Sequence, residues 1–273
     1  MDSNFTFKKN NFYWQSWEAN KTNGLILIIH GMGEHGGRYA HVAKFFNQFN
    51  YTVCALDHYG HGKSDGKRGD MPSLEFMYDY MAEFIHEVEK KYGKKPTVLY
   101  GHSMGGNAVA NYLIWRKHSF KTAIITSPWF TLPTEPPAWK VFMAKVMMKI
   151  FPSFPDKTNL DASAISRNRV EVDKYIHDPL VHDSITPRMF LPMQEAGLMS
   201  IDYAERIHIP VLLMHGKSDQ LTNITGSVLF YENNPEYVTF QAWEGGYHEL
   251  HNDIIQSEVL EFMIDWLAGR MST

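Results

Sequence analysis

The stretch from residue 97 to residue 106 constrains the fold more than any other part of this sequence. Its first four residues form a short β-rich run, and the small and then apolar residues after Ser103 are typical of a helix. Between the two lies the pattern Gly101-x-Ser103-x-Gly105. A serine in so sharp a turn adopts a strained backbone conformation, and the glycines let neighbouring backbone pass close by. The pattern predicts a serine hydroxyl raised above a buried strand, although an ordinary Gly/Ser turn contains the same residues.

Strand and helix patterns alternate on both sides of this turn. Aliphatic runs without alternation are typical of strands covered on both faces, and apolar residues at helical spacing indicate amphipathic helices. The alternation predicts an α/β fold, with a mostly parallel sheet and helices on both faces, entered through an aromatic-rich hairpin. The hairpin is predicted over residues 5–17, strands over 25–29, 51–56, 97–100, 122–126, 211–214 and 237–243, and helices over 41–49, 73–92, 224–232 and a C-terminal segment capped by Asp253.

The alternation stops at Pro128 and resumes near residue 205. The intervening residues contain prolines at positions 128, 133, 136, 137, 152 and 155 and no convincing pattern of a parallel strand. Residues 138–150 nevertheless carry apolar side chains on one helical face. We therefore predict that residues 1–127 and 205–273 form one α/β core and that residues 128–204 are a helical cap inserted into it.

Composition excludes several classes of protein. A net charge of −4 over 273 residues, without a long basic run, argues against a nucleic-acid binder. The single cysteine, Cys54, lies in an apolar run, which predicts a buried thiol and no intramolecular disulfide. The first residues lack the pattern of a signal peptide, and no apolar run approaches the length of a membrane span. We expect a cytoplasmic protein.

A serine hydroxyl becomes a useful nucleophile when a base takes its proton and an acid orients that base. After a turn of this kind, the acid and then the base follow at the ends of later strands. Asp219 follows the predicted strand 211–214, and His248 lies in a glycine-rich loop after strand 237–243. Asp219 alone fits a turn residue, and His248 alone fits a loop histidine. Their order on three strand ends predicts a Ser103–Asp219–His248 triad.

Two backbone N–H groups are candidates for binding an oxyanion in such a site. Met104 follows the serine at the start of a helix, where N–H groups are unpaired and the helix dipole favours negative charge. Met32 lies between two glycines in the loop after the first buried strand, which leaves its amide free to turn toward a reacting carbonyl. The sequence therefore predicts an oxyanion hole formed by Met32 and Met104.

The 14 histidines raise the question of a metal site. Two groups, His58-x-x-His61 and His30 with His35, have suitable spacing, but no cysteine or carboxylate cluster accompanies them at ligand spacing. We expect neither a metal nor another cofactor. His251 is an alternative base, three residues after His248, but its place near a helix start favours a residue at the rim.

Six blocks of sequence, in order, resemble the monoacylglycerol lipase/lysophospholipase family of serine α/β-hydrolases. The resemblance covers nearly the whole chain from Gly24. It implies the α/β-hydrolase fold, hydrolysis of one acyl ester of a glycerol-backed lipid, and the triad and oxyanion amides given above. The blocks are His30–Tyr39, Asp57–Ser64, Gly101–Gly106, Ser166-Arg-Asn with Glu171–Leu180, His215–Asp219 and Glu244–His251.

The same resemblance assigns four further residues to the substrate. It implies that Glu34 and Arg38 pair near the alcohol pocket and that Tyr175 and His251 contact the head group. Residues 128–160 match the family only in character. A lysophospholipase, a short-chain carboxylesterase, a thioesterase or acyltransferase on this scaffold, and a catalytically silent binding protein remain alternatives.

The predicted cap is rich in apolar side chains. One interpretation is a cap whose inner face lines an acyl tunnel and whose outer face touches a membrane or micelle transiently. The other is that these side chains pack between the cap and the core. The apolar residues are Trp129, Phe130, Trp139, Phe142, Met143, Met147, Met148, Phe151 and Phe154.

Overall fold

Eight strands form the central sheet of the structure, a computed structural model that describes residues 1–134 and 136–270. The strands are β1 (Asp2–Phe7), β2 (Asn10–Trp17), β3 (Gly24–Ile29), β4 (Tyr51–Leu56), β5 (Thr97–His102), β6 (Thr122–Thr126), β9 (Val211–Gly216) and β10 (Val238–Trp243), with the short strands β7 (Asp156–Lys157) and β8 (Ser184–Ile185) paired separately. The strand order in the central sheet is β1-β2-β4-β3-β5-β6-β9-β10. The hairpin β1–β2 is antiparallel, and β2 pairs antiparallel with β4; the other neighbours are parallel. The predicted α/β fold is confirmed.

Helices pack on both faces of this sheet and bury two apolar clusters against it. The predicted helix over 73–92 is α2, which begins after Ser73, whose side chain accepts a hydrogen bond from the N–H of Phe76. Every residue of β3 is buried, as expected of a strand covered on both faces. The helices are α1 (Ala40–Asn47), α2 (Leu74–Tyr92), α3 (Met104–Trp115), α4 (Ala138–Ile150), α5 (Arg169–His177), α6 (Pro187–Asp202), α7 (Ile224–Asn233) and α8 (Gln256–Leu267).

The two glycines of the turn after β5 are required by close approach of backbone. A Cβ atom on Gly105 would lie 2.0 Å from the carbonyl oxygen of Ile29 and 2.5 Å from that of His30. A Cβ atom on Gly101 would lie 2.4 Å from the carbonyl oxygen of Gly105. Helix α3 therefore starts directly against the ends of β3 and β5, and this contact leaves Ser103 at the bend.

The segment predicted as a cap, residues 128–204, is fixed to the rest of the chain mainly through its second half. Arg188 donates from Nε to Asp70 Oδ1 over 2.7 Å, and the side-chain amide of Asn107 donates to the carbonyl of Met193 over 2.8 Å. In the described part of this segment, the strands β7 and β8 pair only with each other and lie outside the main sheet. The sheet thus continues from β6 to β9 across the insertion.

Helix α4, in the first half of that segment, is unusually exposed. None of its described side chains is buried, and Trp139, Phe142 and Ile150 are 64%, 65% and 60% exposed. Packing between the cap and the core, one of the two interpretations of the apolar pattern, therefore does not account for these three side chains. No helix within residues 1–134 and 136–270 has the length and apolar character needed to cross a bilayer.

Asp253 differs from the sequence prediction. It does not cap α8, because its carboxylate is bonded to Arg167 and the helix begins only at Gln256. Phe130 agrees with packing between the predicted cap and the core, because it is fully buried and stacks on Phe230 of α7, with ring centroids 4.8 Å apart. The partners Arg167 and Phe230 lie 86 and 100 residues away along the chain, beyond the reach of local sequence patterns.

We expect Gly105→Ala to lower the free energy of unfolding by about 3 kcal/mol or more, because the new methyl group would collide with rigid backbone. Gly106→Ala is the matched control, since its Cβ would meet neighbours only at 3.1–3.2 Å. We expect a change of about 1 kcal/mol or less there. Urea denaturation of both variants measures the difference. Equal stability of the two would contradict the assignment of Gly105 as a required close contact.

Candidate functional site

Ser103 occupies a strained bend between β5 and α3. Its backbone angles are φ 54° and ψ −117°, a combination that residues with a Cβ atom rarely adopt. The bend is held by backbone hydrogen bonds, because the Ser103 N–H donates to the carbonyl of Thr126 over 3.0 Å. The Ser103 carbonyl accepts from the N–H groups of Asn107 and Trp129, over 3.1 and 2.9 Å. The strain predicted from the Gly-x-Ser-x-Gly pattern is present.

His248 and Asp219 form a hydrogen-bonded pair beside this bend. His248 Nδ1 lies 2.8 Å from Asp219 Oδ2, and both side chains are almost completely buried. Asp219 follows β9 and His248 follows β10, so the carboxyl ends of these parallel strands bring the two residues together. A carboxylate bonded to Nδ1 fixes the imidazole with Nε2 available on the opposite side.

The Asp219 carboxylate is kept ionised by its surroundings. Its Oδ1 accepts from the N–H of Leu221 over 2.7 Å, and its Oδ2 accepts from the hydroxyl of Thr222 over 2.9 Å. Burial alone would raise the pKa of Asp219, but the charge of His248 and hydrogen bonds from His215 and His248 hold it well below its ordinary value. Burial would likewise lower the pKa of His248, yet the Asp219 carboxylate outweighs it and raises that pKa. The pair therefore favours a proton on His248.

A cavity of about 650 Å³ contains both Ser103 and His248 in its wall. Within the described residues, no hydrogen bond joins the Ser103 hydroxyl to the imidazole; such contacts often form only when substrate binds. The wall is polar near His248, where Glu34, Tyr175 and Glu249 contribute. Elsewhere apolar residues that include Trp129, Leu132, Val141, Ala144 and Phe190 alternate with polar residues that include Lys140, Asp156, Asn159 and Asp161. A molecule with both polar and apolar parts fits such a wall.

Both predicted oxyanion amides lie near the serine. Met32 is part of the cavity wall, and Met104 is the first residue of α3, directly after Ser103. Among residues 1–134 and 136–270, neither amide N–H donates to another protein group. The N–H of Gly31 is different, since it donates to Glu34 Oε1 over 2.7 Å and so holds the loop that carries Met32.

Glu34 and Arg38 form the predicted pair, but Arg38 has a second partner. Its Nη1 lies 2.8 Å from Glu34 Oε2, and its Nη1 and Nη2 donate to the two carboxylate oxygens of Glu249 over 2.6 and 2.7 Å. Burial would raise the pKa of Glu249, but Arg38 lowers it to about 2. The Arg38 guanidinium also lies over the Tyr175 ring, 4.8 Å from its centroid. Glu34 and Tyr175 line the cavity, whereas Arg38 contacts both of them without lining it.

The structure does not bring His251 to the cavity. The imidazole is fully buried and stacks on Tyr39, with ring centroids 4.6 Å apart. Neither ring nitrogen has a hydrogen-bond partner among the described residues. The head-group contact expected of His251 therefore finds no support in this geometry, and its burial also removes it as an alternative base.

Sequence reasoning missed three residues that shape the site. Thr222 and Glu249 hold Asp219 and Arg38, and His102 lies beside His248, with ring centroids 4.8 Å apart. Burial and the nearby His248 lower the pKa of His102 to about 3, so its ring stays neutral. His102 directly precedes Ser103 in the sequence, and Glu249 directly follows His248. These neighbours were the signal by which the sequence could have indicated both residues. In the described chain, no three His, Cys, Asp or Glu side chains are arranged to hold a metal ion.

Comparisons with known proteins extend over most of this chain. Residues 20–255 match the model of the Hydrolase_4 family, whose description is serine aminopeptidase, S33. The monoglyceride lipase of Rattus norvegicus is 31% identical over 265 residues, which are 95% of this chain and 86% of that protein. The crystal structure of Paleococcus ferrophilus monoacylglycerol lipase has a TM-score of 0.87 and 32% identity, covering 95% of this chain and 99% of that chain. An uncharacterized abhydrolase domain-containing protein of Dictyostelium discoideum is 33% identical over 254 residues, and the chain spans 27% of its length.

We expect the imidazole of His248 to have a pKa above the ordinary 6.5, and Asp219→Asn to lower it, because the carboxylate is the main group that favours the proton. Side-chain NMR of the histidine ring nitrogens, followed across pH, measures both values. His102 serves as the internal control, since its ring should stay neutral in both proteins down to about pH 3. A His248 pKa that does not change in the variant would contradict the pairing.

Proposed function

Because this chain belongs to the monoacylglycerol lipase family of α/β-hydrolases, we propose that it hydrolyses monoacylglycerols to glycerol and free fatty acid through an acyl-enzyme. The observation that supports this most strongly is the cavity whose wall contains both the strained Ser103 and His248, the imidazole that is paired with Asp219. The relatives' names supply the substrate class, and the cavity is compatible with it. Its volume of about 650 Å³ lies within the ordinary range for small-molecule sites.

The proposed reaction has two halves. In the first, His248 Nε2 takes the proton of the Ser103 hydroxyl as the oxygen attacks the ester carbonyl, and then returns that proton to the departing glycerol oxygen. In the second, water gives a proton to His248 as its oxygen attacks the acyl carbonyl, and His248 returns that proton to the Ser103 oxygen as the bond between this oxygen and the acyl group breaks and the fatty acid leaves. Only neutral His248 accepts a proton, so the rate falls as pH falls through its raised pKa.

The amides of Met32 and Met104 are the proposed donors to the oxyanion of each tetrahedral intermediate. They lie in the loop after β3 and at the start of α3, two backbone positions held together by the close contact at Gly105. A donor of this kind contributes roughly 3 kcal/mol of transition-state stabilisation. Glu34 and Tyr175, in the polar part of the cavity wall near His248, are the proposed contacts for the glycerol hydroxyls.

Residues 128–204 act in this proposal as a cap over the cavity, and 1–127 with 205–273 as the core. Val141 and Ala144 of α4 line the cavity wall, whereas Phe142 points away from it and is 65% exposed. Exposed apolar side chains on one helix face, with Lys145 and Lys149 on the same helix, suit transient contact with a lipid surface. A cytoplasmic enzyme would then take its substrate directly from a membrane or micelle.

We expect Ser103→Ala to abolish release of fatty acid from a long-chain monoacylglycerol while the melting temperature stays near that of the unmodified protein. The substitution removes the nucleophile and leaves the backbone bonds of the bend in place. The matching lysophosphatidylcholine and p-nitrophenyl butyrate are assayed beside it. Turnover by Ser103→Ala would overturn the serine mechanism. Preference for the lysophospholipid would overturn the monoglyceride assignment, and activity on the butyrate alone would leave only a short-chain esterase.

We expect neighbouring residues of α4 to have separable effects. Val141→Ser should reduce kcat/KM for a long-chain monoacylglycerol several-fold more than for a short-chain one, because Val141 lines the cavity. Phe142→Ser should weaken binding to phosphatidylcholine vesicles that contain phosphatidylglycerol about tenfold, because its ring is exposed. Vesicle sedimentation and hydrolysis of soluble substrate, measured on both variants, make each the control for the other. Unchanged vesicle binding in Phe142→Ser would remove the lipid-surface role of this face.

A further inference from the structure

Asp253 joins the loop that carries His248 to the predicted cap. Its buried carboxylate accepts hydrogen bonds from Nε of Arg167 over 2.8 Å and from the Arg167 backbone N–H over 3.2 Å. The same carboxylate accepts from the N–H of Tyr247, the residue before His248, over 3.3 Å. One side chain thus bonds both to the inserted segment and to the backbone beside the proposed base.

A second set of bonds fixes the other side of His248. The N–H of Glu249 donates to the carbonyl of Ile165 over 2.8 Å, and the hydroxyl of Ser166 donates to the carbonyl of Asn252 over 2.9 Å. The strand end of the loop is tied to the core, where the N–H of Ser218 donates to the carbonyl of Gly246. The backbone on both sides of His248 is therefore linked to residues 165–167, directly at Glu249 and through the Asp253 carboxylate at Tyr247.

The loop has an evident need for such support. The loop begins with Glu244-Gly245-Gly246, and Gly245 has φ +61°. Because glycine lacks a Cβ atom, the backbone of these two glycines can adopt many conformations when nothing restrains it. The Arg167 guanidinium lies directly above this turn, where a Cβ on Gly245 would meet Nη1 at 3.1 Å. A displacement of about 1 Å at a base lowers catalytic rates by as much as about 100-fold.

We propose that the Arg167–Asp253 pair is a positioning element for His248, by which the inserted segment holds the proposed base in line with Ser103 and Asp219. This inference rests on the proposed function of His248. It gives a role to the Ser166-Arg167-Asn168 block, which substrate and triad leave unexplained. It also means that the insertion does more than cover the cavity, since one part of it orders the reacting groups.

A second ion pair provides a matched control. Arg188 and Asp70 also join the inserted segment to the core through a buried carboxylate, and the arginines are similarly exposed, at 27% for Arg188 and 26% for Arg167. Asp70 lies in the loop between β4 and α2, which carries no member of the triad. Loss of either pair costs stability, but only loss of the first reaches His248.

The test compares Asp253→Asn, Arg167→Met and Arg188→Met in the full chain. Asparagine keeps the shape of Asp253 but offers one acceptor oxygen in place of two, so it cannot hold Arg167 and Tyr247 together. We expect Asp253→Asn and Arg167→Met to lower kcat about 10- to 100-fold with KM nearly unchanged. The loss should be equal for p-nitrophenyl acetate and a long-chain monoacylglycerol, because a misplaced base affects every ester. Arg188→Met should lower the melting temperature and leave kcat within about twofold.

Other outcomes overturn the proposal. A loss confined to long-chain substrate would make Arg167 a substrate contact, and equal losses of kcat in the Arg167 and Arg188 variants would make both pairs merely structural. If Asp253→Asn does not fold, Arg167→Lys decides, since it retains the charge but loses Nε and should recover only part of kcat. An unmodified protein that hydrolyses no ester would refute the proposed function itself, whereas an active one with unaffected variants refutes only the positioning role.

Discussion

A buried carboxylate is the feature on which the geometry of this site depends. Removing a charge from water costs several kcal/mol unless hydrogen bonds and an opposite charge replace the solvent. Asp219 obtains these from the N–H groups of its own loop, from Thr222 and from His248. Since these partners follow different strands, the charge stays buried only while β9 and β10 keep their register and their loops stay closed over it. The contacts that keep this part of the fold closed are therefore the same contacts that align His248 with Asp219.

Local patterns were sufficient to predict the sheet and the residues at its carboxyl edge. Uninterrupted aliphatic runs predicted the buried strands, and the Gly-x-Ser-x-Gly turn predicted the bend at Ser103, because both depend on neighbours a few residues away. The capping role predicted for Asp253 was wrong, because its partner Arg167 is 86 residues away along the chain. The role of Glu249 was missed, because its partner Arg38 is 211 residues away. His251 was misplaced for a similar reason, since its burial depends on Tyr39.

The inserted segment has two parts with different physical environments. Its second half is bonded to the core at α3, at the loop after β4 and around His248, through side chains that are mostly buried. Its first half contains α4, which packs lightly, lines the cavity with one face and exposes the other. A movement that admits substrate therefore costs least at α4, where few contacts must be broken.

The absence of a buried side chain on the described α4 residues has a consequence for how such a protein changes over generations. Most substitutions are eliminated because they destabilise the fold, and substitutions at exposed positions rarely do. Helix α4 also supplies Val141 and Ala144 to the cavity wall. Both side chains are only half-buried, so we expect substitutions there to change the cavity wall at less cost to the folded state than substitutions in the core. A change in which molecules fit is then open to selection with little compensating change elsewhere.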